Sequence, residues 1–93
     1  MNKENARATL KQLLQPLKTK THAEFESLVG SEIHREDVTE PDGSQYQCKV
    51  RVCWADYPPG HITVYGLAGR FPRTVSEAFT ISPENKITNE ESH

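Results

Sequence analysis

The chain of 93 residues carries 34% hydrophobic and 26% charged side chains, and its net charge is -2. That length supports one thin core and not two domains, and so even a charge balance argues against a general nucleic-acid binder. No apolar run is long enough to cross a membrane, and none near Met1 could serve as a leader core, so a cytoplasmic setting without membrane attachment is expected.

Charge placement says more than the total. Residues 1–20 hold five Lys/Arg and one Glu, residues 31–42 hold five acids and one Arg, and residues 43–73 hold Lys49, Arg51, Arg70 and Arg73 against Asp56 alone. Patches of both signs are what most solvated surfaces show.

In chain order, Leu10, Leu13, Leu14 and Leu17 recur at three- and four-residue spacing, which predicts an amphipathic helix. Pro16 bends or ends it, because proline lacks an N–H and clashes with the preceding turn. Thr21 followed by Glu24 forms a second helix start, with Phe25, Leu28 and Val29 as its apolar stripe and Gly30 as its stop. One broken helix and two short helices fit equally well.

The period then changes to two. Residues 33–39 read as a highly charged strand, closed by the turn sequence Glu40-Pro41-Asp42-Gly43. Residues 45–54 form the clearest strand: Tyr46, Cys48, Val50, Val52 and Trp54 alternate with Gln45, Gln47, Lys49, Arg51 and Cys53. Cys48 and Cys53 fall on opposite faces, on the order of 16 Å apart, too far for a disulfide. After Asp56-Tyr57-Pro58-Pro59-Gly60, residues 61–67 resume the alternation until Gly66 and Gly69 open a loop. A fourth strand places Val75, Phe79 and Ile81 on one face, with Glu77 as a flaw in that pattern and Pro83 as its end.

The expected fold is therefore α+β, an N-terminal helix or broken helix pair packed on one face of a four-stranded antiparallel meander. Residues 1–83 form the single domain, and residues 84–93 are expected to be a polar, frayed tail. The other sheet face would show Gln47, Lys49, Arg51, Thr63, Tyr65, Ala78 and Thr80.

No catalytic constellation is legible. His22, His34, His61 and His93 lie at unrelated places, and the acids Glu36, Asp37, Glu40 and Asp42 lack the spacing of a calcium loop. Gly66 and Gly69 lie between strands with no lysine and helix start behind them, so they do not make a phosphate loop. No metal and no cofactor is expected.

The spacing of Val50-x-Val52-x-Trp54-x-Asp56, Pro59-Gly60-x-Ile62-x-Val64 and Ser76-x-x-Phe79-x-Ile81-x-Pro83 resembles a set of small bacterial proteins of unknown function that share a Trp-x-Asp…Pro-Gly…Ile-x-Val…Ser-x-x-Phe pattern. The resemblance covers about residues 46–84 and departs at Pro83-Glu84-Asn85, where the pattern usually ends in an acidic residue and a glycine. It implies the sheet and no chemistry.

The expected function is a non-catalytic protein-interaction module, of an inhibitor or immunity kind. Its partner surface would be the open sheet face, with Lys49, Arg51, Thr63 and Tyr65, or the loop of Arg70, Phe71 and Arg73, where Phe71 either anchors a partner or plugs the core. The alternative is a small-ligand binder or minor enzyme with a pocket between sheet and helices, near Tyr46, Trp54, Asp56, Tyr57 and His61. A third reading is nucleic-acid contact through Lys3, Arg7, Lys11, Lys18 and Lys20, which ordinary helix amphipathicity also explains. A homodimer is compatible with so thin a core.

Overall fold

The computed structural model describes residues 2–70 and 73–90. Helix α1 (Lys3–Leu14) is capped by Asn2, whose side chain accepts from the Asn5 N–H at 3.1 Å, and it buries Ala6, Leu10 and Leu14 on one face. These residues recur every four positions, the spacing that aligns side chains along one helix stripe. Pro16 begins a 3-10 turn (Pro16–Thr19), a position where its missing N–H leaves no helical bond unmade. Thr21 caps α2 (His22–Glu26) by accepting from the Glu24 N–H at 3.2 Å. The helix is thus broken at Pro16, as its sequence predicts. Glu24 pairs with Lys20 at 3.6 Å on the solvent side.

Five strands follow in a simple antiparallel meander: β1 (Glu32–Thr39), β2 (Gln45–Trp54), β3 (Ile62–Arg70), β4 (Arg73–Ile81) and β5 (Ile87–Glu90). The expected count of four is corrected by β5, which pairs Ile87 with Ile81 and Glu90 with Ala78. Residues 84–93 are therefore not a frayed tail throughout. A tight turn returns the chain: the Asn85 N–H donates to the Ser82 carbonyl at 2.8 Å, and Asn85 adopts a φ of 66°. Asparagine tolerates that left-handed conformation better than most residues. Its side chain also accepts from the His22 N–H at 2.8 Å, which ties the turn to the start of α2.

β3 also runs further than its glycines suggest, reaching Arg70, with Gly66 inside the strand opposite Val50 and Glu77. Glycine there admits α1 and does not open a loop. The helices lie on the face formed by the buried residues of β2, β3 and β4. Phe25, Val50, Val52, Ile62, Val64, Phe79 and Ile81 pack with Leu14 in one cluster, and Leu10, Cys48 and Ala68 with Ala6, Tyr46 and Val75 in a second. Phe25 and Phe79 meet edge to face at 5.9 Å between ring centroids, a favoured aromatic geometry.

Candidate functional site

Residues directly opposite each other in an antiparallel pair share a face. Three cross-strand rows therefore make up the side of the sheet turned away from the helices: Lys49–Leu67–Ser76, Arg51–Tyr65–Ala78 and Cys53–Thr63–Thr80. Lys49, Thr63, Tyr65 and Leu67 are half-buried along their own strands, and Arg51 is exposed. The Thr63 and Thr80 hydroxyls lie 3.3 Å apart across β3 and β4. Leu67 joins the face because β3 continues past Gly66, so the face is more apolar than its sequence alone suggested.

At the β1 margin, Arg35 donates to both carboxylate oxygens of Glu32, at 3.1 and 3.0 Å. This hydrogen-bonded guanidinium, helped by the nearby charges of Arg51 and Lys49, holds the Glu32 carboxyl below its ordinary range. Among the described residues, no carboxylate comes within salt-bridge distance of Lys49, Arg51, Arg70 or Arg73. Arg70 and Arg73 are paired at the end of the β3–β4 hairpin, and both are exposed. Phe71, whose orientation the loop reading depends on, lies outside the described residues.

A depression of about 320 Å³ sits between these cations, lined by Asp37, Tyr46, Gln47, Lys49, Gly69 and Arg70. Gly69 has a φ of 102° and contributes no side chain to fill it. Gln47 reaches across to Asp37 at 3.4 Å, leaving Lys49 and Arg70 as the cationic walls.

The residues of the alternative pocket gather elsewhere. Asp56 accepts from the His61 backbone N–H and lies 2.9 Å from His61 Nδ1, both side chains about half exposed. His22 Nε2 lies 2.8 Å from the Gly60 carbonyl, and its ring sits 6.0 Å from Trp54. Tyr57 is 92% exposed. Trp54, Asp56, Tyr57 and His61 line neither of the two cavities described here. They serve a compact turn: a β-carbon at Gly60 would fall 2.7 Å from the Tyr57 backbone carbonyl as well as against the Asp56 carboxylate, so the turn closes tightly around glycine.

The basic residues of the N-terminal segment do not form one unoccupied stripe. Lys20 is paired with Glu24, the Lys18 ammonium stands 5.8 Å from the centre of the Phe79 ring, and Arg7 is half-buried with its Nε enclosed. A second cavity, of about 240 Å³, opens between α1 and β4–β5 and is lined by Lys11, Leu14, Gln15, Lys18, Glu77, Ala78 and Asn89. Sequence spacing alone does not group these residues, because the fold joins positions some sixty apart. No family model matches the chain, and neither the curated proteins nor the solved structures compared with it include a significant match.

Proposed function

We propose that the chain is a non-catalytic protein-interaction module, of an inhibitor or immunity kind, that receives an acidic protein surface on its open sheet face. The supporting observation is the placement of Lys49 and Arg51, without ion pairs among the described residues, beside half-buried Tyr65 and Leu67, with Arg70 and Arg73 exposed at the hairpin end that borders the face. Aromatic and arginine side chains dominate interface energetics, and the cations of this face favour a partner of the opposite sign. A one-sided antiparallel sheet always shows a polar face. Here that face also carries an apolar centre and a depression between Lys49 and Arg70, which give a partner something to fill.

Strand-to-strand pairing of two copies is opposed at β1. That edge carries Arg35, Glu36 and Asp37, and its register shifts between Glu32 and His34, features that blunt a sheet edge. The test is affinity capture from a lysate of the native source with the wild type, a folded Lys49→Glu/Arg51→Glu variant, and a Lys3→Glu variant on the helix side as control. The expected result is a protein with an acidic surface retained by the wild type and the control but lost by the double variant. Equal capture by all three, or by none, contradicts the proposal.

A further inference from the structure

Glu77 breaks the apolar pattern of β4, and its surroundings show why that matters. It stands on the helix-facing side of the strand, between Val75 and Phe79 and opposite Gly66, and only 7% of its surface is exposed. Among the described residues, no hydrogen bond or ion pair reaches its carboxylate. The residue is covered by its neighbours while its carboxylate oxygens are not enclosed, so the anion is offered to the cavity it lines and not locked in the core. Glu77 lines the cavity between α1 and β4–β5.

The rest of that cavity is cationic and apolar. Lys11 of α1 and Lys18 of the following 3-10 turn supply the cations, Leu14 and Ala78 supply apolar surface, and the amides of Gln15 and Asn89 complete the lining. At about 240 Å³ the space is smaller than the roughly 300 Å³ at which pockets for drug-sized ligands begin. A simple anion would meet Glu77, and a simple cation would meet two ammonium groups. A molecule carrying both charges satisfies both sides.

We propose that this cavity binds a small zwitterion of the α-amino-acid class, with its ammonium on Glu77, its carboxylate toward Lys11 and Lys18, and its side chain against Leu14. Charge-assisted hydrogen bonds at both ends supply orientation, and the apolar wall supplies contact. Glu77, Lys11 and Lys18 belong to the helix side of the sheet, away from Lys49 and Arg51, so charge reversal at those two positions leaves the groups that bind the zwitterion in place.

The test is thermal-shift screening of the full chain with free proteinogenic α-amino acids, followed by calorimetric titration of the best one. Its decarboxylated amine and its deaminated acid are titrated in parallel. The expected result is saturable binding of an amino acid, with each single-charge analogue weaker by about tenfold or more. Glu77→Gln and Lys11→Gln each weaken binding by a similar factor; Lys11 is exposed, so its variant keeps the fold and decides the matter if Glu77→Gln does not fold. Binding is unchanged in Lys49→Glu/Arg51→Glu. No shift with any amino acid, an analogue that binds as well as the amino acid, affinity unaltered by the cavity substitutions, or loss of binding in the sheet-face variant overturns the proposal.

Discussion

Leu10 of α1 rests against Gly66 of β3 so closely that a β-carbon at position 66 would stand 2.9 Å from Leu10 Cδ2. The glycine sets how near the helix can approach the sheet, and hence the depth of the core beneath it. Gly66→Val is expected to destabilise the fold by about 1–3 kcal/mol, the usual cost of overpacking. In a Leu10→Ala background the same substitution should cost less, because it fills space the leucine vacated. Chemical denaturation of the four proteins in that cycle measures the difference.

Glu40 ties the N-terminus to the β1–β2 hairpin. Its carboxylate, in a residue only 8% exposed, accepts from the Asn2 N–H at 3.0 Å and from the Ser44 hydroxyl at 2.9 Å. Glu40→Ala leaves the Asn2 N–H without its acceptor, while the Ser44 hydroxyl keeps Asp42 Oδ1 at 2.7 Å, and should cost about 1–3 kcal/mol. Amide exchange should rise first in the opening turn of α1, since that end loses its anchor.

The Cys48 thiol is enclosed beneath the helices, and burial, with the Glu36 charge opposite it on β1, pushes its pKa up to about 11 from an ordinary 9.0. The unfolded chain therefore loses this proton before the folded one does. With fewer protons bound in the unfolded state, stability attributable to Cys48 is full below pH 9 and falls as pH rises toward 11. Comparing wild type with Cys48→Ala across that range should show the wild type losing stability more steeply. In native protein at pH 8, Cys53 should react with a disulfide-exchange reagent well before Cys48.

The turn before β3 depends on Gly60. A β-carbon there would press on the Tyr57 backbone carbonyl at 2.7 Å and displace the Asp56 carboxylate, while the Gly60 carbonyl already meets His22 Nε2 at 2.8 Å. Gly60→Ala is expected to lower stability by about 1–3 kcal/mol and to disturb the His22 and Trp54 environments together. Tryptophan fluorescence followed through thermal unfolding checks both effects.

Much of this architecture is legible in the residues. The strict alternation of β2 and the Pro16 and Thr21 signals mark the strand and the helix break without tertiary help, because each reports a local backbone requirement. β5 is not legible: Ile87 is its only large apolar residue, and its turn uses Asn85 where a glycine would have announced the reversal. Gly66 misleads for a related reason, since glycine marks either a loop or a close approach, and only the position of Leu10 distinguishes them. The cations of the sheet face follow from strand parity. The depression beside Lys49 and the cavity around Glu77 do not, since each depends on which distant elements the fold brings together.

The most direct test of the docking face is calorimetric titration of the captured partner against wild type and Lys49→Glu/Arg51→Glu, at low and high salt. The acidic-partner account predicts binding by the wild type that weakens as salt rises, and a loss of affinity of about tenfold or more in the double variant with its fold intact. Equal affinity in both proteins, insensitive to salt, would contradict it.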